Sequence, residues 1–136
     1  MQRVALLVSL AALSTGCIMK PCSWDFRPST CTLERVALRK TEVADAVWVE
    51  ARYKVRGPLG ERIMEASVFH VFPAGTARAV AEGKVVAYFE RHPDLPCSWG
   101  HLTQGTCARD DFRVTLPGCR DQRGTRCYEL APEELN

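Results

Sequence analysis

Apolar and polar side chains alternate between residues 45 and 56, with Val47, Val49, Ala51, Tyr53 and Val55 on one parity and Glu50, Arg52, Lys54 and Arg56 on the other. A period of two marks a strand with one face buried. Gly57-Pro58-Leu59-Gly60 is a turn signal, and residues 62–72 resume the strand with the run Val68-Phe69-His70-Val71-Phe72, closed by Pro73-Ala74-Gly75. Residues 76–91 carry two patterns. Odd positions 77 to 89 are apolar or glycine, while Thr76, Arg78, Glu82, Lys84 and Glu90 are even, which predicts a long strand. The alternative is a helix with Ala77, Val80, Ala81, Val85, Tyr88 and Phe89 on one face, Thr76 as N-cap and Pro93 as terminator. Gly83 would cost that helix roughly 1 kcal/mol relative to Ala.

Shorter strands are expected at 33–40, 111–116 and 126–130, with a polar loop at 120–124 and a solvated tail at 132–136. His92-Pro93-Asp94 reads as a turn. The total predicts an all-β domain: a small antiparallel sandwich or meander of five to six strands, or an α+β fold if 76–91 is helical.

The first 16 residues have a different pattern. Arg3 gives a positive start, residues 4–13 are almost wholly apolar, and Leu13-Ser14-Thr15-Gly16-Cys17 places small residues directly before a cysteine. The run is too short to span a bilayer, which takes roughly 20 apolar residues. This stretch resembles the lipobox of bacterial lipoproteins. The resemblance implies cleavage before Cys17, a diacylglycerol on its thiol, acylation of the new amine, and an anchor of lipid alone in the cell envelope. In enterobacterial lipoproteins an Asp after the lipidated cysteine is a retention signal for the inner membrane. Ile18 stands there instead, so the resemblance favours the outer membrane. The chain then divides into a signal peptide, 1–16, and one envelope domain, 17–136. The alternative is an ordinary secretory leader cut near Gly16, leaving Cys17 as a free or paired thiol.

Cysteine number bears on that choice. Seven are present, and spending Cys17 on lipid leaves an even six: Cys22, Cys31, Cys97, Cys107, Cys119 and Cys127. An even set in an exported chain implies disulfides. Six cysteines permit 15 connectivities, and the spacing suggests three local pairs, 22/31, 97/107 and 119/127. Loops of that size contribute on the order of 2–3 kcal/mol each.

Two of those cysteine stretches resemble one another. Pro21-Cys22-Ser23-Trp24 runs on to Thr30-Cys31, and Pro96-Cys97-Ser98-Trp99 runs on to Thr106-Cys107. One reading has each tryptophan packed on its neighbouring disulfide with a locally bonded indole N–H. The other makes Trp24 and Trp99 aromatic knuckles for a glycan or protein partner. Four residues, 18–21, separate Cys17 from Cys22, a reach of about 15–20 Å, so the first motif is expected beside the membrane.

Charge adds little. Without Arg3 the domain has 17 basic residues against 16 acidic ones, and nothing points to nucleic acid. Catalytic signatures are absent: no Gly-x-Ser-x-Gly, no phosphate-binding glycine loop, no Cys-x-x-Cys. His92, Cys97, His101 and Cys107 have zinc-like density, but oxidation would pair the thiols, so no metal or cofactor is expected. His70 in its apolar strand reads as a satisfied histidine, and adjacent Asp110 and Asp111 would face opposite ways.

The sequence therefore predicts a non-catalytic, lipid-anchored envelope protein that binds a protein or cell-wall partner close to the membrane through Trp24, Trp99 or the strand carrying Arg52, Lys54 and Arg56. A second expectation is an inhibitor or protective factor that plugs a hydrolase with residues 97–107. An enzyme would need turnover dependent on His70, His92 or His101.

Overall fold

The computed structural model describes residues 21–136. The leader, the lipobox and Cys17 lie outside the described residues.

The alternation at 45–56 becomes β2 (Ala46–Gly57), which folds back through Pro58 and Leu59 onto β3 (Gly60–Val71) in unbroken register from Gly57 opposite Gly60 to Ala46 opposite Val71. Gly60 takes φ +127°, a conformation that favours glycine. The predicted inner parity is the observed one: Val47, Val49, Ala51, Tyr53 and Val55 are all buried, and Met64, Ala66, Val68 and His70 join them from β3.

The expected strand at 33–40 is only half of β1 (Ser23–Arg39), a 17-residue strand that begins inside the first Pro-Cys-Ser-Trp motif. Its C-terminal half, from Thr30 on, pairs with β2. Its N-terminal half, up to Thr32, pairs antiparallel with β4 (Asp94–Gln104), the second motif. Pro28 is tolerated because it faces β4 on one side, while β2 ends level with Ser29 and Thr30 on the other. β5 (Asp110–Val114) completes that wing. On the opposite wing β7 (Arg126–Cys127) runs parallel to β3 and β6 (Gln122–Arg123) lies outside it. The result is one curled, mixed sheet in the order β5-β4-β1-β2-β3-β7-β6. Most of the described residues are strand, as expected. The seven strands form a single sheet rather than a sandwich or a five- to six-stranded meander.

Residues 76–91 correct the favoured reading: they form helix α1 (Arg78–Arg91), the α+β alternative. Ala81, Val85, Tyr88 and Phe89 bury one stripe against the sheet, at the i, i+4, i+7, i+8 spacing of a helix. Good helix formers, Ala79, Ala81, Glu82, Lys84 and Ala87, fill the segment, and the even/odd alternation reflected small alanines on several sides of the helix. Thr76 is not the side-chain cap. Its hydroxyl donates back to Pro73 O at 2.7 Å, and the N-cap position is Ala77. Two buried tyrosines lock the helix in place, with Tyr88 Oη donating to Pro117 O at 2.7 Å and Tyr53 Oη donating to His92 O at 2.9 Å. The C-terminal segment is not a free tail. Residues Pro132–Leu135 form a 3₁₀ turn, Leu135 packs on the core, and Arg91 binds the Glu134 carbonyl.

All six cysteines of the described residues are paired, but two of the three local pairs are wrong. The bonds are Cys22–Cys107, Cys31–Cys97 and Cys119–Cys127. Cys22 and Cys31 flank eight residues of one extended strand, which holds them roughly 30 Å apart at about 3.3 Å per residue. The antiparallel pairing of β1 with β4 instead sets Cys31 opposite Leu95 and Cys97 opposite Ser29, near diagonal neighbours with Cα atoms 6.2 Å apart. The repeated motif thus pairs with itself: the first cysteine of each copy bonds to the second of the other.

Candidate functional site

The same pairing separates the two tryptophans. Trp99 lies opposite Arg27, and Trp24 opposite Leu102. Positions three apart on a strand point to opposite faces, so the indoles leave the sheet on different sides. Trp99 is fully buried. Its Nε1 donates to Asp110 Oδ1 at 2.8 Å, His101 stacks on it with ring centroids 4.4 Å apart, and the Arg62 guanidinium from β3 lies 5.0 Å from its ring centroid. Arg62 also donates from Nε to Asp110 Oδ2 at 3.2 Å, and His101 Nδ1 sits 3.7 Å from Oδ1. This cluster draws the β4–β5 wing over to β3 and curls the sheet. Burial would push the Asp110 carboxyl up, but the hydrogen bonds from Trp99 and Arg62 and the charges of Arg62 and His101 hold it below its ordinary range. Trp99 therefore offers no surface through which the expected partner role could act.

Trp24 stays half-buried on the other side, with Nε1 donating to Ala108 O at 3.0 Å. Beside it Phe26 covers Gly100, where a Cβ would come within 2.7 Å of the ring, and Arg113 stacks on Phe26 at 3.8 Å. Neither indole packs on the disulfide of its own motif copy in the expected closed loop, because residues 22–31 and 97–107 are not closed loops.

A cavity of about 670 Å³ lies toward the opposite end of β1, where His70, Phe72, Thr76, Lys84, Arg120 and Leu130 are among its walls. His70 is buried, and its Nδ1 accepts the Leu130 backbone N–H at 3.1 Å. Burial lowers its pKa, with partial opposition from Glu129, so the neutral ring carries its proton on Nε2. That bond ties the C-terminal segment to β3, the satisfied role expected of this residue.

His92 and His101 are also engaged. Nε2 of His92 meets Glu134 Oε2 at 3.0 Å while Tyr88 packs on its ring, and His101 belongs to the Trp99 cluster. Cys97 and Cys107, the other members of the zinc-like set, are spent in different disulfides. The basic row on β2 is neutralised across the sheet: Arg52 pairs with Glu65, Lys54 with Glu34 and Arg56 with Glu61. Asp110 and Asp111 do face opposite ways, Asp111 lying opposite Gly100 on the outer side.

Sequence reasoning missed Arg62 and a second aromatic group. Arg126 lies 5.3 Å from the Trp48 ring and 5.9 Å from the Tyr128 ring, Arg123 stacks on Tyr128 at 4.8 Å, and Phe69 sits 6.4 Å from Tyr128. Trp48 and Phe69 are paired across β2 and β3 on the outer parity, and two large aromatics on an otherwise charged face were the available signal. No family model, curated protein or solved structure matches the chain.

Proposed function

We propose that this protein is a non-catalytic lipoprotein of the bacterial cell envelope, held by an N-terminal lipid on Cys17 and binding a protein or cell-wall partner near the outer membrane. One observation carries the reading: the six cysteines from Cys22 to Cys127 bond among themselves, and the seventh in the chain is the cysteine of the lipobox-like Leu13-Ser14-Thr15-Gly16-Cys17. Three disulfides suit an oxidising compartment. The non-catalytic part is supported by the histidines, each of which is committed to a structural contact. Inhibition by residues 97–107 loses its geometric basis, since Cys97 and Cys107 do not close that loop.

The test is the intact mass of the protein extracted from membranes. A chain beginning at Cys17, carrying acyl groups and with no alkylatable thiol before reduction, supports the anchor. An unmodified Cys17 thiol refutes it. Crosslinking in the native envelope then tests the partner, and recovery of nothing reproducible counts against binding.

A further inference from the structure

The end of the sheet nearest Cys17 differs chemically from the rest of the domain. The Cys22–Cys107 bond joins the start of β1 to the turn after β4, and the tip around it consists of residues 21–24 and 102–109. Ser23 lies opposite Gln104, Thr103 Oγ1 donates to Ser23 O at 3.2 Å, and the Leu102 N–H donates to Arg109 O at 2.8 Å. This tip contains no Asp or Glu. Its one charged side chain is Arg109, exposed, and beside the cystine the remainder is Pro21, Ser, Thr, Gln, Gly, Ala, Leu102 and Trp24. Carboxylates begin one layer inward, with Asp25 paired to Arg27, Asp110 to Arg62, and Asp111 exposed opposite Gly100 on the Trp24 face.

We propose that this tip rests on the bilayer, with Trp24 at headgroup depth and Arg109 on a phospholipid phosphate; this deepens the lipid-anchor reading and rests on it. Four residues between Cys17 and Cys22 let the tip stand no more than about 15–20 Å from the acylated cysteine. Tryptophan with an apolar body and a bonded N–H belongs at a membrane–water interface, and an acid-free surface with a single arginine avoids repulsion from anionic lipid. The cystine and the hydrogen bond from Trp24 to Ala108 hold these groups in place beforehand. β1 then leads away from the membrane over 17 residues, at most about 55 Å of strand, and the 670 Å³ cavity at the far end of the sheet faces outward, where a partner can reach it.

The experiment uses the full lipidated protein in vesicles of phosphatidylethanolamine and phosphatidylglycerol whose acyl chains are brominated near the headgroup. Tryptophan fluorescence is compared with that in unbrominated vesicles. Quenching in the natural protein that disappears in Trp24→Phe, with Trp48 and Trp99 still emitting, is the expected result. Arg109→Glu, at an exposed side chain that leaves the fold intact, is expected to lower the bound-to-free ratio of the tip about fivefold or more, the worth of one arginine at an anionic surface. Equal emission in both vesicles by a protein whose acyl mass is confirmed overturns the proposal while sparing the anchor. A protein without acyl chains removes both.

Discussion

His70 does at the scale of one residue what its position in a strand of apolar neighbours led one to expect. Its ring is buried and its Nδ1 accepts from Leu130. Because burial lowers the folded pKa, the group contributes stability that is fully present above its ordinary value, near 6.5, and is lost as pH falls from there through the folded value. Melting temperatures measured between pH 7.5 and 5 should fall in the natural protein. In His70→Asn, which keeps an acceptor but does not titrate, that slope should be shallower; an unchanged slope would assign the acid sensitivity elsewhere.

Asp110 reports on the Trp99 cluster in the same way. Its alanine variant leaves the buried Trp99 N–H without an acceptor and Arg62 without its partner, at a cost of about 1–3 kcal/mol in urea unfolding. The Asp110 contribution is lost only as pH drops below the ordinary carboxylate range toward the lowered folded value, so the gap between the two proteins should persist at neutral pH and close in acid. A packed Trp99 was one of the two readings of its motif, but its partners Arg62 and Asp110 were not readable, because the contact joins β3 to β4 and β5 across the curl of the sheet.

The two strands with strict alternation, β2 and β3, were readable almost to their ends, since a period of two over ten or more residues has few other solutions. Helix α1 was misjudged for the opposite reason. A segment rich in alanine satisfies both periods, and packing against a sheet selected the helical stripe Ala81, Val85, Tyr88 and Phe89. Gly83 lies on its exposed side, where an added Cβ meets nothing within 4 Å. Gly83→Ala should therefore stabilise the protein by about 0.5–1 kcal/mol, visible as a higher melting temperature. No gain would refute the open, unstrained setting of Gly83 within the helix. Gly57 is the converse case. A Cβ there would sit 2.9 Å from Ser29 Oγ and 3.0 Å from the Trp99 ring, so Gly57→Ala should cost about 1–3 kcal/mol and shift the Trp99 emission.

Across the whole molecule the disulfides change the energetics most. As local pairs each would have closed a short loop. The observed bonds Cys31–Cys97 and Cys22–Cys107 span sequence separations of 66 and 85, against 8 for Cys119–Cys127. Chain entropy then assigns about 4.5 kcal/mol to each long bond and about 2.5 kcal/mol to the short one. Replacing Cys31 and Cys97 together by alanine should lower the urea midpoint clearly more than replacing Cys119 and Cys127. A proteolytic digest without reductant should join peptides from the two ends of the domain; peptides linking Cys22 to Cys31 would refute this topology.

From the sequence alone followed the mainly β composition and the inner faces of β2 and β3. Each depends on residues adjacent or two apart in the chain. Tertiary structure decided which cysteines bond, which tryptophan is core and which is surface, and where the histidines are spent. Two copies of Pro-Cys-Ser-Trp have the same local chemistry, yet the register of β1 on β4 puts Trp24 beside Leu102 on one face and Trp99 beside Arg27 on the other. That register joins residues more than sixty positions apart, and no local pattern encodes it.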